Sequence, residues 1–235
     1  MAGLVKKNIW IIANWKSNKT IAEALDWVSK VGPSIPKKDN LKVVVCPTFS
    51  CLSEIKKTIL VNNFPLMLGS QDLSPFEKGA YTGEESASLL KELISLAILG
   101  HSERRQNFGE SDEMIAKKVN QALENNIIPL VCVQDETVPV PEGCKMVVYE
   151  PDWAISTGLN NTPGSGRPDT PENANEEAKK IKQKYGENLT VIYGGSVSAE
   201  NVKGFLSQEN TSGVLPGHAS LDPAEFIKIC QSAGE

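Results

Sequence analysis

Eight short apolar runs punctuate the chain, and segments with helical periodicity separate most of them. The runs are Ile9–Ala13, Leu41–Cys46, Pro65–Leu68, Leu96–Leu99, Ile127–Val133, Met146–Tyr149, Leu189–Tyr193 and Gly213–Leu215. They show little polar alternation, as expected of strands in a parallel sheet covered on both faces. Ile21–Lys30 places Ile21, Ala24, Leu25 and Val28 on one helical stripe. Asp112–Glu124 follows a cap candidate, Ser111, and turns Met114, Ile115, Val119 and Leu123 inward. Pro171–Lys184 has Thr170 as cap and a proline in its first turn. Ala199–Leu206 and Pro223–Gln231 complete the helical set. Alternating β and α with eight strands implies an α/β fold, either a closed barrel or a large open sheet. At 235 residues the expectation is a single domain over 1–235, short of the roughly 250 usual for a full barrel.

The rhythm fails twice. Only QDETVPVPEGCK lies between Val133 and Met146, with two prolines and no helical period. A parallel crossover normally takes a dozen or more residues and a helix, so the fifth helix is expected to be missing. Asn160–Asp169, rich in Gly, Pro and Asn, reads as an irregular loop.

Composition narrows the function. The net charge of −5 does not suit nucleic acid, which requires a cationic surface. The lysines at 179, 180, 182 and 184 read as the solvated face of a Glu-rich helix. Five cysteines without a CxxC pair read as reduced thiols in a reducing compartment, and two histidines argue against a His-based metal cage. No run nears the roughly 20 apolar residues of a membrane span, and Met1–Ala13 lacks the form of a signal peptide. The expected location is the cytoplasm. No cofactor or metal is expected.

In a barrel, function collects at the C-terminal ends of the strands. Five segments fall there: ANWKSN (13–18), SQDLSPFEKGAYTGE (70–84), LGHSERR (99–105), YEPDWAISTG (149–158) and YGGSV (193–197). In order and over nearly the whole chain, they resemble the triosephosphate isomerase family. That resemblance implies a (β/α)8 TIM barrel interconverting dihydroxyacetone phosphate and D-glyceraldehyde 3-phosphate through an enediolate. It implies Glu150 as base, His101 as electrophile and Lys16 as electrostatic clamp. Asn14 would donate to the same substrate oxygen as Lys16, and Glu103 would pair with the lysine. A desolvated carboxylate suits proton shuttling, and a neutral imidazole at a helix N-terminus can donate to an oxyanion. Phosphate would sit on backbone N–H groups around Gly195, Ser196, Gly217 and His218, with Ser156 from the lid. The lid would be Pro151, Asp152, Trp153, Ala154, Ile155, Ser156, Thr157 and Gly158. Tyr193 and Ser196 would hold it closed. The long loop Gln71–Thr82 would join two copies in a homodimer.

The chain departs from the pattern in places. Ser156 stands where the lid usually has glycine, at a cost of about 1 kcal/mol or more if that position needs φ > 0. Leu159-Asn160-Asn161 replaces the usual hinge. His218 follows Gly217 where a second glycine is usual, after a proline, Pro216, that offers no N–H. Asp135 stands in for a glutamate expected to support neighbouring loops. Two rival readings therefore stand beside the isomerase. One is another barrel enzyme acting on a phosphorylated sugar or amino acid. The other is a weakened or inactive barrel scaffold that still binds small phosphate ligands.

Overall fold

The computed structural model describes residues 7–154 and 167–234. Its strands are β1 (Ile9–Asn14), β2 (Leu41–Cys46), β3 (Met67–Ser70), β4 (Leu96–Leu99), β5 (Ile128–Val133), β6 (Met146–Tyr149), β7 (Thr190–Tyr193) and β8 (Thr211–Val214). They close into a barrel in chain order, every pair parallel and β8 returning to β1. Closure removes the unpaired edges an open sheet would leave. Two strands start elsewhere than their apolar runs suggest. β3 begins at Met67, past Pro65, which cannot donate to a ladder. β8 begins at Thr211, because Thr211 and Ser212 are buried in spite of their polar types.

The helices are α1 (Ile21–Val31), α2 (Leu52–Asn62), α3 (Ala87–Leu90), α4 (Ser102–Phe108), α5 (Asp112–Glu124), α6 (Pro171–Tyr185), α7 (Val202–Leu206) and α8 (Pro223–Gly234). Ser111 and Thr170 cap α5 and α6 as expected, accepting from the N–H groups of Met114 and Asn173. α7 is shorter than Ala199–Leu206. The Asn201 side chain accepts from the Ser198 N–H and donates to the Ser196 carbonyl, which holds the entry as a turn. The buried stripes are also shifted. α1 buries Ala24, Trp27, Val28 and Val31 and leaves Ile21 exposed. α5 buries Ile115, Lys118, Val119 and Ala122, so Met114 and Leu123 flank the stripe and stay exposed. Lys182 is buried beside Ile181 on the inner face of α6, and is no part of a solvated lysine face.

Side chains alternate across each strand, so the core divides in two. Trp10, Ile12, Val44, Cys46, Leu96, Ile98, Leu130, Cys132, Met146, Val148 and Ile192 belong to the cluster that fills the barrel. Ile11, Val43, Val45, Ala97, Leu99, Val131, Val147 and Tyr149 belong to the cluster under the helices. The inward rows then continue past the last apolar residue. Two residues after Ile12 comes Asn14, and two after Val148 comes Glu150.

Between β5 and β6 there is no helix. Val138, Val140 and Cys144 of this connector pack onto the outer core. From α6, Tyr185 Oη donates to the Val138 carbonyl at 2.8 Å and Lys184 Nζ to the Glu136 carbonyl at 2.7 Å. A cavity of about 500 Å³ lined by Leu123, Ile127, Ile128, Pro129 and Gly143 opens beside this thinned flank.

Candidate active site

The mouth of the barrel gathers residues from six strands. Asn14 ends β1, and its N–H donates to the Pro216 carbonyl beyond β8 at 3.1 Å. Its side-chain Oδ1 accepts the Lys16 N–H at 3.1 Å. Lys16 has φ of +52°, a left-handed conformation costly for a residue with a side chain. Gln71, just past β3, holds that turn: its Nε2 donates to the Lys16 carbonyl at 2.8 Å and to the Cys46 carbonyl at 3.0 Å. The strained backbone directs the lysine Nζ to Glu103 Oε1, 2.5 Å away.

His101 is the N-cap of α4. Its Nδ1 accepts the Glu103 N–H at 3.2 Å, so the neutral ring carries its proton on Nε2. That Nε2 lies 3.3 Å from Glu150 Oε1. Glu150 is 0% exposed, and its Oε1 has no hydrogen-bond partner among the described residues. The other oxygen, Oε2, accepts a long 3.5 Å bond from the Ser102 N–H. A buried carboxylate so thinly satisfied has an oxygen open to a further partner. Burial, and then the Glu150 charge, push the Cys132 thiol well above the ordinary range, so this neighbour remains a neutral thiol. Gly194 faces the same carboxylate, and a Cβ there would come within 2.8 Å of Glu150 Cγ.

The opposite side of the mouth is made of backbone. Among the described residues, the N–H groups of Gly195, Ser196, Gly217 and His218 meet no acceptor. A Cβ at Gly217 would stand 3.4 Å from Lys16 Cε, so this turn looks across at the lysine. Residues 218–220 form a single 3-10 turn. Ser196 Oγ donates to the Ala154 carbonyl at 3.0 Å, which ties the β7 turn to the segment following Glu150. Of the expected lid, Pro151 and Ala154 are buried, Asp152 is exposed and Trp153 is 51% exposed. Ile155, Ser156, Thr157 and Gly158, and the replaced hinge at 159–161, lie outside the described residues.

One feature escaped the sequence reading. Beneath α4, buried Lys118, Asp72 and Glu110 form a four-charge cluster with the partly exposed Arg104. Lys118 bonds both Asp72 oxygens (2.6 and 2.8 Å) and Glu110. Arg104 bonds Asp72 at 2.8 Å and Glu110 at 2.6 Å. A charged residue in the apolar stripe of α5 was the available signal, because a cation on a core face requires buried anions. Asp135 was expected to support neighbouring loops, and among the described residues its side chain bonds only its own turn, where the carboxylate accepts from the N–H and Oγ1 of Thr137. An aspartate is one methylene too short to behave as the glutamate it replaces.

Among the described residues, no group of His, Cys, Asp and Glu is arranged to hold a metal ion, and no helix is long and apolar enough to cross a membrane. The family model described as triosephosphate isomerase matches residues 9–143 and 141–233. The triosephosphate isomerase of Dehalococcoides mccartyi strain CBDB1 is 35% identical over 97% of this chain and 97% of its own. That of Mesomycoplasma hyorhinis is 39% identical over 93% of this chain and 96% of its own. The crystal structure of triosephosphate isomerase from Bartonella henselae matches with a TM-score of 0.81 at 27% identity, over 97% of this chain and 100% of that one. Barrel, mouth and relatives agree, and the chain belongs to the triosephosphate isomerase family.

Proposed function

We propose that this protein interconverts dihydroxyacetone phosphate and D-glyceraldehyde 3-phosphate, working as one domain over 1–235. The carrying observation is the fully buried Glu150 carboxylate, 3.3 Å from the proton-bearing nitrogen of His101. Glu150 removes a proton from one substrate carbon and returns it to the next. His101 donates its Nε2 proton in a hydrogen bond to the enediolate oxygen. Lys16, held by Glu103, and the Asn14 amide stabilise the same developing charge. The N–H groups of Gly195, Ser196, Gly217 and His218 receive the phosphate, with Ser156. The segment from Pro151 to Gly158 covers the reacting carbons, because an enediolate phosphate open to water eliminates phosphate. All these groups act as acids, bases or hydrogen-bond donors, so the reaction as read needs no cofactor.

Two copies pair through Gln71–Thr82, and the enzyme works in the cytoplasm. This loop carries the exposed, mutually stacked rings of Phe76 and Tyr81, with centroids 4.3 Å apart. Aromatic side chains of this kind are typical of interface cores.

The test is a coupled isomerase assay on purified protein. Wild type turns over both triose phosphates. Glu150→Asp withdraws the carboxylate by about 1 Å and lowers kcat about 100-fold. Absence of activity in wild type that still binds 2-phosphoglycolate would overturn the reading in favour of a phosphate-binding scaffold. Sedimentation giving only the 25.5 kDa species at micromolar protein would remove the dimer.

A further inference from the structure

The chain rejoins the barrel at residues 167–170, and Asp169 is half-buried there. Its carboxylate gathers donors from three directions. Tyr149 Oη donates to Oδ2 at 3.3 Å. The Thr170 N–H donates to Oδ1 at 2.8 Å. Asn173 Nδ2, from the first turn of α6, lies 3.0 and 2.8 Å from the two oxygens. The Asp169 N–H in turn donates to Tyr193 Oη at 2.8 Å. The two tyrosines are register partners on adjacent strands, the last residues of β6 and β7. Burial, and then the Asp169 charge, push the Tyr149 phenol above its ordinary range, so it stays protonated and remains a donor.

Alternation gives this clasp its leverage. Tyr149 and Tyr193 face outward, and the next residues, Glu150 and Gly194, face the mouth and crowd one another. The Tyr193 hydroxyl also lies hard against the backbone of Gly195, where a Cβ would collide with it. The clasp is therefore one residue behind the base on one strand and under the phosphate turn on the other.

We infer that Asp169 is a positioning residue for the isomerase site, its carboxylate on Tyr149 and its N–H on Tyr193 locking the ends of β6 and β7 together so that Glu150 and the Gly194–Ser196 turn keep their spacing. This rests on the function proposed above. A carboxylate that merely starts α6 would affect stability alone.

Four enzymes separate the two roles: wild type, Asp169→Ala, Tyr149→Phe and the double variant. Asp169→Ala raises KM about tenfold and lowers kcat by a smaller factor of about three, because the N–H that holds Tyr193 under the phosphate turn loses the carboxylate that anchors it to Tyr149 and α6. Tyr149→Phe raises KM about threefold, and adds little on the Asp169→Ala background because both remove one contact. Unchanged KM with a lowered Tm, or effects that multiply in the double variant, overturns the inference. If Asp169→Ala does not fold, Tyr149→Phe decides: an unchanged KM overturns it. Titration with inorganic phosphate reads the clasp without turnover. About tenfold weaker binding by Asp169→Ala supports it, and equal binding overturns it, even if wild type proves to be no isomerase.

Discussion

Two neighbouring connections of this barrel solve the same covering problem by opposite means. From β4 to β5 the chain builds two helices, whose Arg104 and Lys118, with Glu110 between them, form a charged cluster with Asp72 from beyond β3. From β5 to β6 it builds no helix and covers the flank with Val138 and Val140, fastened from α6 by Tyr185. The first connection carries His101 and Glu103, and it is over-determined. The second carries no expected site residue, and it is thin. What a barrel strand requires on its outer face is apolar cover, and a helix is one way to supply it. What a catalytic group requires is a fixed backbone, and the charged cluster gives α4 that.

Lys118→Met should separate the two connections most sharply. It leaves the Asp72 and Glu110 carboxylates to Arg104 alone, at a cost of about 4 kcal/mol on the scale of broken buried pairs. Chemical denaturation should show that loss, and KM and kcat should suffer with it because α4 loosens. Val138→Ala removes two half-buried methyl groups and should cost about 1 kcal/mol with unchanged kinetics. A kinetic defect in that variant would mean that the thin flank does reach the site. Tyr185→Phe deletes one hydrogen bond and should cost about 1 kcal/mol or less.

The finest distinction lies in the sign of a pH dependence. Burial raises the Asp72 carboxyl, against the pull of Lys118. Its folded form then holds a proton that the unfolded form has already released, so its contribution to stability falls as pH rises above the ordinary aspartate value of 3.8. Thr137 hydrogen bonds lower the Asp135 carboxyl, so its contribution is present above that value and is lost as pH falls through the lowered folded pKa. Differences in unfolding free energy, wild type minus Asp72→Asn and wild type minus Asp135→Asn, should slope in opposite directions with pH. Equal slopes would erase the contrast between the two connections.

The eight strands were legible because barrel strands are apolar on both faces, and so was the missing helix, because proline and glycine interrupt 134–145. Lys16, His101, Glu103 and Glu150 were legible through their motifs, and the structure brings the four to one mouth. Polar residues at apolar positions were harder to read. Thr211 and Ser212 concealed the start of β8, Lys182 read as part of a solvated face, and Lys118 drew no reading although its partner Asp72 buries it. Asp169 looked like the tail of an irregular loop, since its donors come from 149, 170 and 173 and its acceptor from 193. Local pattern records which way a residue faces, and only the folded chain shows what it meets.

Alternation along β6 makes the site sensitive to counting. Met146, Val148 and Glu150 share one side of the strand, and Val147 and Tyr149 share the other. Inserting one residue between Val148 and Tyr149 would send the Glu150 carboxylate into the helix layer and turn the tyrosine toward the mouth, with composition barely changed. The proposed base is therefore addressed by parity as well as by identity, and the length of β6 up to Glu150 matters to the site as much as the carboxylate does.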